Sequence, residues 1–307
     1  MSAEPMPRMF ARRDALRLAA GALVGPLLVG PGYADALKAG GPTRIASLDY
    51  GLASTLLSLG LTPVAIAARD DWDKWVVEPP LPAGIADLGA SWEINFEVLT
   101  SLKPDLILTT PYNAALTPRL EAVAPTLSLG VYTADGGDVL PKAVAATRGL
   151  AEGVGRVAEG EALIARTEAF FDACRARLAR VAPPPLALIN FLDARHARIY
   201  TAPGLYHNVL ERLGLTNAWA KPGNFWGFET IGIERLAEIG DERARLIAFE
   251  PVPADVLPKL ALSPLWQALP LARPGHFSVL PGSLMFGMLN DAVRFARILT
   301  DHLEQTA

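Results

Sequence analysis

The side chains best suited to specific contact in this chain are aromatic, and they fall in loops. Trp72, Trp75 and Trp92 lie in Asp70-Asp-Trp-Asp-Lys-Trp75 and Ala90-Ser-Trp-Glu-Ile94, segments with neither helical nor strand periodicity. Asn224-Phe225-Trp226-Gly227 is a similar loop in the second half, and Tyr112 follows a predicted strand in Thr109-Thr-Pro-Tyr-Asn113. Such rings bind apolar surface and stack on flat groups. Trp219 and Trp266, set among apolar neighbours, read as core. Groups for covalent or metal chemistry are sparse by comparison. Cys174 is the sole cysteine, and His196, His207, His276 and His302 form no metal-binding spacing. No nucleophile elbow or P-loop is present. Gly153-Val-Gly-Arg-Val-Ala158 has the letters of a dinucleotide fingerprint, but it follows a helix rather than a strand and reads as a helix break. An enzyme reading therefore starts weak.

These loops must be held by a frame, and the sequence carries one twice. Ser54-Thr-Leu-Leu-Ser-Leu-Gly-Leu-Thr62 is echoed by Asn208-Val-Leu-Glu-Arg-Leu-Gly-Leu-Thr216, each an amphipathic helix stopped at a glycine. Phe96-Glu97-Val98-Leu99 leads into Leu106-Ile107-Leu108-Thr109, as Ile233-Glu234-Arg235-Leu236 leads into Leu246-Ile247-Ala248-Phe249. Each half reads strand, helix, strand, helix, strand, which predicts two α/β lobes, 41–140 and 186–307, with mainly parallel sheets. Residues 141–182 join them. A helix over Pro141–Leu150, with Asp138 as its N-cap, is broken at Gly153–Gly155. A second, over Arg156–Val181, ends before Pro183-Pro-Pro185 and spans roughly 39 Å. In an open α/β sheet the loops beyond the carboxyl ends of the strands form the binding crevice, so the aromatic loops of both halves should line an interlobe cleft.

Composition agrees. The chain has 307 residues, 51% hydrophobic, with 28 basic and 32 acidic side chains. That balance excludes intrinsic disorder and argues against a nucleic-acid partner. At the N-terminus Arg12-Arg13 precedes a weakly apolar stretch, Leu16 to Val29, and a small-x-small site at Ala34-Asp35-Ala36. The stretch is too glycine-rich for a spanning helix, and the pattern reads as a twin-arginine export leader over residues 1–36. A periplasmic monomer is expected.

The residues resemble a known family. Asp70–Asp105, Asn217–Leu236 and Pro264-Leu-Trp-Gln-Ala-Leu-Pro270 are similar to periplasmic ferric hydroxamate siderophore-binding proteins, the capture components of ABC importers. Asn-Phe-Trp-Gly, Trp75-Val-Val-Glu-Pro-Pro-Leu-Pro82 and Pro-Leu-Trp-Gln-Ala are the most specific stretches. The resemblance implies two lobes on a single long helix, and a shallow aromatic pocket holding an iron–siderophore complex. It implies no cofactor and no protein metal ligand, because the chelator fills the iron's coordination sphere. Trp75, Tyr112 and Trp226 match pocket aromatics, and Trp92, next to Ser91, is expected to bind ligand with them.

Two positions depart from the family pattern. Ser91 stands where a pocket arginine is usual, and Leu284-Met285-Phe286 stands in place of Trp-Phe-Tyr. The resemblance therefore implies a less cationic pocket that includes Ser91, Leu284 and Phe286, suited to neutral or singly positive hydroxamate complexes, with Lys74 and Lys221 nearby. Docking to an inner-membrane permease is implied at Glu234 in the second lobe and Glu121 in the first. The alternatives are a carrier of a cobalamin-type chelate or of haem, with Tyr112 or Met285 as axial ligand, and an exported enzyme of iron release.

Overall fold

The computed structural model describes residues 28–29 and 41–306. The expected leader lies outside the described residues, apart from Leu28–Val29. The first lobe is built on β2 (Ile45–Ser47), β3 (Ala65–Ile66), β4 (Ala86–Asp87), β5 (Leu106–Thr109) and β6 (Thr126–Ser128). These run parallel in the order β6-β5-β2-β3-β4, and Leu28–Val29 (β1) adds an antiparallel edge on β6. β5 is fully buried, as a central parallel strand with helices on both faces must be.

The second sheet has the order β11-β10-β7-β8-β9, from β7 (Leu186–Phe191), β8 (His196–Tyr200), β9 (Phe228–Gly232), β10 (Arg245–Phe249) and β11 (Phe277–Leu280). β7, β10 and β11 pair in parallel, and β8 pairs antiparallel with both β7 and β9. The second lobe thus opens with a hairpin where the sequence suggested strand then helix. Asp193 makes that turn, its Oδ1 accepting from the Arg195 and His196 backbone N–H groups at 2.6 and 2.8 Å. The repeated helices are present as Tyr50–Ser58 and Leu205–Leu213, and each is followed by a left-handed glycine, Gly60 (φ +79°) and Gly214 (φ +75°).

The helix Val139–Gly153 leads into a 22-residue helix, Val157–Leu178, which joins the lobes over about 33 Å. The latter is shorter than the expected Arg156–Val181: Arg156 is its N-cap, and the chain turns at Ala182 (φ +49°) before Pro183. Asp138 does occupy the N-cap of Val139–Gly153, but its carboxylate accepts from Asn208 Nδ2 at 3.1 Å. The capping bond comes instead from the second-lobe side, where Asn208 Oδ1 accepts the Leu140 N–H at 3.0 Å.

A second element ties the lobes together. The C-terminal helix Leu289–Gln305 crosses back to the first lobe, where Asn290 Nδ2 donates to Ser54 O and Ser58 Oγ, both at 2.9 Å. Further along it, Arg294 and Arg297 both pair with Glu78 at 2.6 Å. One continuous core runs from Ile45 and Leu106 of the first lobe, through Phe171 of the long helix, to Leu188 and Phe249 of the second.

Candidate functional site

A cavity of about 510 Å³ opens between the lobes, beyond the carboxyl ends of β2 and β5. Its volume is within the range of small-molecule sites. The floor is apolar, made by Leu48, Leu52, Leu129, Val131 and Met288. Above it stands a cup of aromatic rings centred on Trp226.

Trp226 is placed by its own loop. Asn224 Oδ1 accepts the Trp226 N–H at 3.0 Å, and Asn224 O accepts that of Gly227 at 2.8 Å. Gly227 has φ +81° and lies so close to Gly204 that a Cβ there would sit 2.0 Å from the Gly204 Cα. Only glycine closes this turn. The indole then meets four rings. Tyr132 stacks on it at 5.7 Å with planes 22° apart, Phe286 meets it edge-on at 5.3 Å, Tyr112 edge-on at 6.0 Å, and Phe225 tilts against it at 4.8 Å. Tyr132 is fixed from the far side of the cleft, its hydroxyl donating to Met285 O at 2.7 Å and lying 3.2 Å from Gly287 O. Burial pushes its phenol well above the ordinary range, so it remains a neutral donor.

Of the residues expected in the site, Ser91, Trp92, Tyr112, Trp226 and Phe286 line the cavity together. Trp92 and Tyr112 form an open rim, 74% and 64% exposed. Trp75 and Leu284 are not among the lining residues. Both belong to a neighbouring cluster with Ala53, Ile66, Trp72, Val76 and Ile85. The cause is the single helical turn Trp72–Trp75, which buries Trp72 with its Nε1 donating to Pro79 O at 3.0 Å and lays Trp75 half-buried on the same cluster. Met285 is buried and likewise outside the lining, which leaves Tyr112 as the cavity's one member of the two suggested axial ligands.

The sequence reading missed Tyr132, Phe228, Asp49 and Arg198. Asp49 caps the helix Tyr50–Ser58, Oδ1 accepting the Leu52 N–H at 2.9 Å, and burial holds its carboxyl above the usual range. Arg198 is a pocket cation that the expectation of a less cationic cleft did not include. In β8, Ala197 and Ile199 pack into the second-lobe core, so strand alternation turns Arg198 to the opposite face. There it lines the cavity, with its Cζ 5.0 Å from the Phe228 ring centroid. The alternation was visible in His196-Ala-Arg-Ile-Tyr200; which face met the cleft was not. Lys221 is paired with Glu238, and Lys74 lies 4.7 Å over the Trp75 ring, away from the cavity. Among the described residues no group of three or more His, Cys, Asp and Glu side chains is gathered as a metal site.

Glu234 is exposed in the first turn of the short helix Ile233–Glu238, which precedes β10. Glu121 is exposed as well, but it ends a helix that follows β5. The first-lobe residue at the position of Glu234 is Glu97, exposed in the first turn of Phe96–Ser101 before β5. The internal repeat had already aligned Glu97 with Glu234.

The fold matches that of solved proteins. A family model for periplasmic binding proteins matches residues 45–284. The chain belongs to the periplasmic binding protein family. Within it, the iron(3+)-hydroxamate-binding protein FhuD of Escherichia coli is 30% identical over 258 residues, 84% of this chain and 86% of that protein. The Fe(3+)-citrate-binding protein YfmC of Bacillus subtilis is 24% identical over 77% of this chain and 72% of its own. Among solved members, the siderophore-binding protein FhuD of Vibrio cholerae with bound Fe3+–Desferal superposes with a TM-score of 0.80 at 25% identity, covering 86% of this chain and 99% of that one.

Proposed function

We propose that this chain is the capture component of an importer, taking up an iron(III)–siderophore complex of the hydroxamate type in the interlobe cavity. The observation that carries the reading is the aromatic cup, in which Tyr132 and Tyr112 of the first lobe meet Trp226 of the second and Phe286 beyond it. A chelator that already fills the iron's coordination sphere asks for a concave, ring-lined surface with a few orienting polar groups, not for metal ligands. The hydroxyls of Ser91 and Tyr112 supply donors to chelator oxygens. The protein then does no chemistry on its cargo. The bound ligands named for the Escherichia coli and Vibrio cholerae relatives support the hydroxamate class. The test is retention: protein mixed with ferrichrome and desalted should keep the chelate's visible absorbance. Loss of all colour on desalting would refute capture.

Delivery to an inner-membrane permease would use Glu97 and Glu234, one on each lobe. Each follows a cavity-lining segment, Ser91–Trp92 and Trp226–Phe228. Glu97 takes the first-lobe role expected of Glu121. Charge on both sides of the cleft would orient the loaded carrier on a basic partner surface. The variants Glu97→Ala and Glu234→Ala should bind ferric hydroxamate normally yet lose import in cells. Undiminished import by the double variant would refute the pair. The leader over residues 1–36, with Arg12-Arg13, would direct the folded chain to the periplasm. An Arg12→Lys, Arg13→Lys variant should remain in the cytoplasm, and normal export would exclude the twin-arginine route.

A further inference from the structure

Arg198 is the only cation lining the cavity among the described residues, and no carboxylate of those residues lies within ion-pair distance of it. Its setting differs from that of most arginines in the second lobe. Arg212 is held by Glu168 and Asp172, Arg235 by Glu229 and Glu238, and Arg243 by Asp241. Arg198 has a ring face instead, Phe228, which supports the guanidinium plane while leaving its N–H donors unspent. It is half-buried on a hydrogen-bonded strand, with Asn190 of β7 and Thr230 of β9 as its neighbours in register. Across the cleft the first-lobe rim offers Ser91 and Trp92, neither of them charged, and the one lining acid, Asp49, is engaged with a helix N-terminus.

We propose that Arg198 makes the cleft select among ferric chelates by charge, favouring those that carry a free carboxylate or comparable anionic arm and rejecting those that carry an ammonium group. The inference rests on the carrier reading of this cavity and deepens it. A half-buried guanidinium without a counter-ion attracts an anionic group and penalises a cationic one, because the one lining acid, Asp49, is turned to its own helix N-terminus. Its fork geometry suits a carboxylate in particular. Arg198 places the cleft's positive charge on the second lobe. The anionic arm of the ligand is then expected to lie against β8 and Phe228.

Three ligands with one iron-hydroxamate core separate charge from shape: ferrioxamine B, whose free amine makes it singly positive; its N-acetyl derivative, which is neutral; and its N-succinyl derivative, which ends in a carboxylate. The parent protein should bind them in rising order of affinity, with the succinylated form about tenfold or more tighter than ferrioxamine B. Arg198→Leu should collapse that ratio to about twofold or less, and Arg198→Lys should keep its direction at a reduced size. Circular dichroism of each variant checks that the strand still folds. Equal affinities in the parent, or an undiminished ratio in a folded Arg198→Leu protein, would overturn charge selection while leaving capture intact. If none of the three binds the parent, the carrier reading itself fails, and this inference with it.

Discussion

Tyr132 and Trp226 stack across the interlobe cleft, their ring centroids 5.7 Å apart and their planes 22° from parallel. The pair comes from different lobes, and each ring is pinned independently, Tyr132 by the Met285 carbonyl and Trp226 by the Asn224–Gly227 turn. Protein bonds alone therefore hold the two rings in place.

Trp226→Ala removes the ring that Tyr112, Tyr132, Phe225 and Phe286 all touch. An aromatic anchor at the centre of a contact surface commonly contributes 2 kcal/mol or more, so affinity for a ferric hydroxamate should fall by roughly thirtyfold. Trp75→Ala should behave differently, because Trp75 packs on the Trp72 cluster outside the cavity. Its melting temperature should drop while affinity stays within about twofold of the parent. Isothermal titration beside a thermal melt separates the two effects, and a large affinity loss in Trp75→Ala would return that residue to the site.

Two ties set the stiffness of the cleft. The long helix Val157–Leu178 resists bending, and the C-terminal helix bonds back to the first lobe through Asn290 and the Glu78 ion pairs. Closure on loading should thus be small, unlike that of carriers hinged on flexible strands. Small-angle scattering of the free and ferrichrome-loaded protein should nearly overlay. A contraction of several ångströms would contradict the rigid frame.

Much of this was legible in the sequence, and the reasons are local. The repeat was readable because Gly60 and Gly214 mark the ends of equivalent helices, and the Asn-Phe-Trp-Gly turn announces Trp226 by its own chemistry. Tyr132 was not readable. It follows β6 in Leu129-Gly-Val-Tyr-Thr133, and its role depends on Trp226, far away in the chain. Trp75 misled because loop aromatics look alike until a neighbour, here Trp72, takes the buried face. The hairpin at Asp193 was missed because it replaces an expected helix, and with it went the face of β8 that carries Arg198.

Asp291 gives the fold a pH signature. It is 1% exposed, and burial together with the nearby Asp49 carboxyl pushes its pKa up to about 7, against the backbone bond from Met288 and the Arg294 charge. An unfolded chain has it near 3.8. Because the folded value is the higher one, the neutral form is favoured on folding. The resulting stability is complete below about pH 4 and is lost as pH rises through 7. Asp291→Asn keeps an acceptor for the Met288 N–H, 2.9 Å away in the parent, without the charge. The melting temperature of the variant relative to the parent should therefore climb between pH 4 and pH 7. A constant offset across that range would show that Asp291 does not titrate there.

The most direct test of the cleft as a ferric hydroxamate site is a tryptophan-fluorescence titration of the parent and a Trp226→Phe variant with ferrichrome. Iron bound against the cup should quench the parent in a saturable, one-to-one manner. The variant, which keeps a ring but loses the cup's central indole, should retain saturable binding by absorbance while losing most of the quenching. Absence of saturable quenching in the parent, or equal quenching in parent and variant, would contradict capture of the chelate against the Trp226 cup.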